Sequence, residues 1–160
     1  DYKFFIGGFG LGTSGTAKFD DIYSENNVLQ HNDNRTNIGL GGLWIGYSFN
    51  HEKPIHFAAS LKTGAGAISV IPKEFDHGNY YNIYDDVVGM VEPEVQLEMN
   101  LFRWWRLQLS AGYRYVFDVA NDTYYNAQQE QVRYFKDNDF NTPTLGFNMI
   151  FGVFGPREKR

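Results

Sequence analysis

From Val91 to Leu101 the chain alternates without a break. Val91, Pro93, Val95, Leu97, Met99 and Leu101 are apolar, and Glu92, Glu94, Gln96, Glu98 and Asn100 stand between them. Period two is the repeat of a β-strand, whose successive side chains point to opposite faces. The stretch is therefore a strand with one apolar and one charged face. The segment from Trp104 to Phe117 repeats the pattern, with Trp105, Leu107, Leu109, Ala111, Tyr113, Tyr115 and Phe117 against Arg106, Gln108, Ser110, Gly112 and Arg114. A tight turn near Phe102 joins the two into an antiparallel hairpin. Both polar sets fall on even numbers, so opposed residues sum to an even number. A sum of 204 sets Glu98 opposite Arg106, and a sum of 206 sets Glu92 opposite Arg114. Either register puts a carboxylate beside a guanidinium on one face.

Four more segments carry the strand signal: Tyr2 to Leu11, Ile38 to Phe49, Ile55 to about Ser69, and Thr142 to Phe154. Six strands in 160 residues make a single all-β domain over residues 1–160. An aromatic share of 18 % and 17 glycines also favour pleated structure over helix. The connections alternate in length. Residues 12–36, 71–86 and 118–141 form long polar loops, whereas Asn50 to Pro54 and the Phe102 region are short turns. Compact soluble domains join their elements by a few residues. Transmembrane barrels of the bacterial outer membrane have short periplasmic turns and long extracellular loops. The expectation is an antiparallel up-and-down transmembrane barrel with extracellular loops and both termini periplasmic.

In a membrane barrel the apolar face meets lipid and the polar face lines the lumen, the inverse of a soluble lipocalin-like barrel. On the membrane reading Lys62, Glu92, Glu94, Glu98, Arg106 and Arg114 form a polar network in the lumen, with His56 within its range. A narrow barrel fills its interior with side chains of this kind. Trp104, Trp105, Tyr113, Tyr115, Phe151 and Phe154 then belong to the aromatic girdles that such barrels carry at both interfaces. Pro93 interrupts a ladder donor, which predicts a bulge around Glu92 and Pro93.

Three stretches resemble a family of small Bacteroidota-type outer-membrane β-barrel proteins. They are Pro54-Ile55-His56-Phe57 leading to Gly64-Ala65-Gly66, Val91 to Asn100, and Arg106-Leu107 continuing to Gly112-Tyr113-Arg114-Tyr115-Val116. The match covers the second half of the chain, and the first half agrees only in its glycine-aromatic texture. The resemblance implies eight strands where six are visible, so either an N-terminal hairpin precedes this segment or the barrel closes with strands of a partner. It implies no catalytic residues.

The function classes that remain are narrow. A net charge of −5 offers no basic face to nucleic acid. There is no cysteine for a disulfide or a thiolate metal site. Asp85-Asp86 and Asp137-Asn138-Asp139 lack the spacing of a calcium loop, so neither metal nor cofactor is expected. His56 and Ser60 share a strand face but stand about 13 Å apart along it, too far for a nucleophile–base pair. The expectation is therefore a non-enzymatic protein in contact with outer-membrane lipids, acting as a structural or accessory subunit that shows its loops to a protein partner. A soluble lipocalin-like binder of a small hydrophobic ligand is the alternative, and a lipid-A-modifying enzyme the remote one.

Overall fold

The structure is a computed structural model and describes residues 3–18, 22–23, 29–30, 33–72, 84–125, 128–136 and 138–152. None of these residues is helical. The strands are β1 (Phe4–Lys18), β2 (Ile22–Tyr23), β3 (Leu29–Gln30), β4 (Asp33–Phe49), β5 (Ile55–Pro72), β6 (Tyr84–Phe102), β7 (Trp105–Phe117), β8 (Thr123–Tyr125), β9 (Gln131–Arg133) and β10 (Thr142–Phe151). The six long ones form a single antiparallel sheet in the order β1-β4-β5-β6-β7-β10, curled into a half-barrel. Each long strand pairs with the next long one in sequence, which is the meander the short turns require. Among the described residues β1 and β10 are the two edges of this sheet.

Several boundaries differ from the sequence expectation. The first strand continues to Lys18 and the second starts at Asp33, so much of the span 12–36 is ladder rather than loop. The third strand runs on to Pro72, and the fourth begins at Tyr84 instead of Val87. Residues such as Thr13, Ser14, Gly15 and Thr16 are small or polar on both faces, so they carry no alternation. Their backbone still pairs, because the hydrogen-bonded ladder does not depend on side-chain polarity. Within 118–141 the chain forms β8 and β9, which join β2 and β3 in a second small sheet through the pair Tyr23 and Tyr125. The first and third long loops are thus tied together. Residues 73–83 of the second long loop fall outside the described residues.

Pro93 does not make a bulge. The β6–β7 register keeps the sum 206 from Val91 with Tyr115 to Asn100 with Arg106, and it shifts only between Asn100 and Phe102, next to the turn. The ladder simply omits Glu92 and Pro93 on the β7 side. A missing donor removes a bond without adding a residue, so the pleat passes through unshifted.

Glycines let the backbones of β4 and β5 come close. A Cβ on Gly66 would collide with the Gly39 carbonyl and the Leu40 Cα, and one on Gly64 would collide with the backbone of Gly41 and Gly42. Sharp bends of a sheet need glycine at such points. Gly66→Ala is expected to destabilise the protein by about 1–3 kcal/mol through overpacking. Gly10→Ala should be neutral, because an added Cβ there meets nothing within 4 Å. Denaturant titration of the two variants side by side checks this, and equal midpoints would refute the close approach.

Candidate functional site

The even-numbered residues of β4 to β7 point to the concave face, and the odd-numbered ones to the convex face. On the convex face Ile6, Ile45, Phe57, Val95, Leu109 and Phe147, one from each long strand, are exposed. On the concave face Ser48, His56, Glu92, Glu94, Gln96, Glu98 and Gln108 are buried. Ordinary soluble sheets bury the apolar face. Here the polarity is inverted.

The buried polar residues form one continuous spine. Glu98, 1 % exposed, stands at the turn end. Its Oε2 accepts from Arg106 Nη1 at 2.7 Å and lies 2.7 Å from His56 Nε2, while Oε1 accepts from Gln108 Nε2 at 2.8 Å. Gln108 also donates to Gln96 Oε1 at 3.1 Å, and Gln96 Nε2 donates to Ser60 at 2.7 Å and to Glu94 at 3.1 Å. Lys62 binds both Glu94 and Glu92, and Arg114 Nε donates to Glu92 Oε2. Thr144 and Asn148 of β10 join through Glu92 and Gln108. Three carboxylates meet three cations, Lys62, Arg106 and Arg114, so the buried charges balance. A buried carboxylate needs both a countercharge and hydrogen bonds, and each of the three has them.

The observed sum of 206 puts Glu92 directly opposite Arg114, and Arg106 still reaches Glu98 on the diagonal. Lys62, Glu92, Glu94, Glu98, Arg106 and Arg114 are therefore brought together on one face. Ser48, which donates to Glu98 at 3.4 Å, was missed in the sequence. Its place between Tyr47 and Phe49 in an alternating segment was the available signal. The aromatic residues sort into two groups. Near the short turns, Phe102, Trp104, Trp105 and Phe151 stack with centroids 5.7 to 6.2 Å apart, and Tyr47 makes edge contacts with Phe4 and Phe49. Farther up the sheet Tyr113 and Tyr115 pair at 4.6 Å. Phe154 lies outside the described residues.

Toward the loop end the concave face turns apolar. Leu40, Ile68, Val70, Val88, Met90 and Val116 pack there with Val119 and Phe135 from the third long loop. The loop folds inward and packs over the β4–β7 part of that end. Tyr84 donates to Asp86 Oδ2 at 3.0 Å, and the same oxygen accepts the Ala120 backbone N–H at 2.7 Å, fixing the start of the loop to β6. Burial, with the Asp86 carboxylate reinforcing it, pushes the Tyr84 phenol above its ordinary range, so it stays a donor. The run Val87-Val88-Gly89-Met90-Val91, apolar at both parities, was the sequence signal for this second layer.

His56 has its Nε2 on Glu98 and its Nδ1 3.2 Å from the Lys53 carbonyl, and among the described residues no serine bonds to it. Ser60 is held by Glu94 and Gln96 instead. Among the described residues no group of three or more acidic or histidine side chains is placed to hold a metal ion. Comparison of the chain with protein-family models, with curated proteins and with solved structures finds no match.

Proposed function

We propose that this chain is a non-enzymatic β-barrel protein of a bacterial outer membrane, serving as a structural or accessory subunit that presents its long loops to a protein partner in a larger membrane complex. The observation that carries the reading is the inverted sheet, with a charge-balanced polar spine on the concave face and exposed Leu, Ile, Val and Phe across the convex one. Water gives such an arrangement no driving force, whereas lipid does. The spacing of the aromatic groups supports it. Trp105 and Tyr115 are ten positions apart on β7, about 33 Å along a strand. At a tilt of roughly 40° that is about 25 Å of height, the thickness of an outer-membrane apolar band.

In lipid every backbone donor and acceptor must be paired, so the outer rows of β1 and β10, unpaired among the described residues, need further strands or each other to close the barrel. The resemblance to the small Bacteroidota-type barrels points to two more strands. A barrel this narrow, with its inner face occupied by the spine and the loop plug, leaves no room for a water-filled pore.

Cell fractionation tests the placement. The protein should sediment with outer membranes and stay in solution only with detergent; a monodisperse, detergent-free preparation would sink the membrane reading. Purification in mild detergent tests the subunit role, and a specific partner should copurify. A lone monomer, together with an unchanged envelope in a variant lacking residues 73–83, would count against that role.

A further inference from the structure

At the loop end, away from the charged spine, β1, β4 and the third long loop line an open pocket of about 310 Å³. Thr13, Thr16 and Thr36 line it from the strands, and Phe135, Asp139 and Phe140 line it from the loop just before β10. Its size is at the lower end of small-ligand sites.

The polar lining is not self-sufficient. Thr36 is 9 % exposed, lines this pocket, and its hydroxyl has no hydrogen-bond partner among the described residues. Two residues earlier on the same face of β4, Asn34 is 1 % exposed, and among the described residues neither its amide nitrogen nor its amide oxygen has a partner. Buried polar groups in folded proteins are almost always paired, so adjacent exceptions mark a place that something else completes.

The chemistry of the lining restricts what that is. No lysine or arginine is among the described lining residues, so an anion finds no countercharge there. One carboxylate among hydroxyls does not make a metal site. Asp139 already accepts the Lys136 backbone N–H on Oδ2 at 2.8 Å, which holds the carboxylate in place. The rings of Phe135 and Phe140 stand 4.8 Å apart at 57° and supply aromatic surface. Hydroxyl and carboxylate acceptors beside aromatic faces match a ligand with hydroxyl edges and a C–H face, because the negative ring face attracts polarised C–H hydrogens. We propose that this pocket binds a single neutral sugar ring, either as a free hexose or as the end residue of a surface glycan. The pocket is defined by the loop and two strands, so the inference stands or falls separately from membrane placement.

Saturation-transfer NMR on the full chain tests it, in an amine-oxide detergent that carries no sugar headgroup. One set of samples contains free hexoses and methyl glycosides, and the other short oligosaccharides. At least one sugar should receive magnetisation, and Thr36→Val and Phe140→Ala should each weaken binding about tenfold, the effect of losing one good contact. Gly15→Ile guards against simple misfolding. Gly15 lines the pocket, and an added Cβ meets nothing within 4 Å, so the variant should fold and still lose binding by filling the space. Binding of free hexoses assigns the free sugar, and binding of oligosaccharides alone assigns the glycan end. The proposal is overturned by absence of transfer from the folded protein to every sugar tested, or by binding that survives both Gly15→Ile and Thr36→Val.

Discussion

Replacing Glu98 with alanine is expected to destabilise the protein by about 3–5 kcal/mol, the cost of breaking a buried ion pair from one side. The substitution removes the acceptor shared by Arg106, His56, Gln108 and Ser48 and leaves a guanidinium and an imidazole without it inside the sheet. Glu98→Gln should cost less, since an amide oxygen still accepts while the countercharge is lost. Removing Arg106 together with Glu98 should cost less than the two single losses combined, because neither residue is then left facing the loss of its opposite charge; coupling of about 0.5–3 kcal/mol is the range for residues in one network. Unfolding of the four proteins by urea, followed by tryptophan fluorescence, measures this directly. A loss under about 1 kcal/mol for Glu98→Ala would place the group with solvent-exposed pairs and contradict its burial.

The strands were legible where side-chain chemistry alternates, and illegible where only the backbone carries order. Val91 to Leu101 announces both its faces, because each side chain on it has an unambiguous polarity. Thr13 to Ala17 pairs residue for residue with Asn34 to Ile38 yet shows no such contrast, so it passes for loop. The register of the β6–β7 hairpin was open for a different reason. Sums of 204 and 206 keep every residue on the same face, so polarity cannot choose between them, and the choice is made by the turn, where the register shifts between Asn100 and Phe102. The charged spine could be listed from the sequence because its charges share one parity on adjacent strands. Its continuity through Gln96 and Gln108 could not, since amides give no signal of their own until a neighbour is known. The loop plug depended on contacts between Val119, Phe135 and strands far away in sequence, which no local period encodes.

The convex face gives the sharpest separation between lipid and water. Leu109 is 54 % exposed at the middle of β7, between Trp105 near the turn and Tyr113 and Tyr115 above. If that face meets the bilayer core, Leu109→Arg brings a charge to the midplane and should cost about 2–4 kcal/mol. If the face meets water, an exposed leucine is replaced by a residue that water favours, and the change should stay within about ±0.5 kcal/mol. Tyr115→Arg serves as the internal control. Placed at the aromatic belt, it should cost only about 0–1 kcal/mol in a bilayer, because the guanidinium reaches the interface there. The measurement is reversible unfolding from lipid vesicles, with each variant compared against the parent protein. A depth-dependent penalty, large at Leu109 and small at Tyr115, is the signature of a membrane-facing sheet, since nothing in water distinguishes those two positions by height. Equal and negligible costs at both would mean that the convex face is solvated or covered by another polar surface. The inverted sheet would then need a different explanation from the one given by lipid.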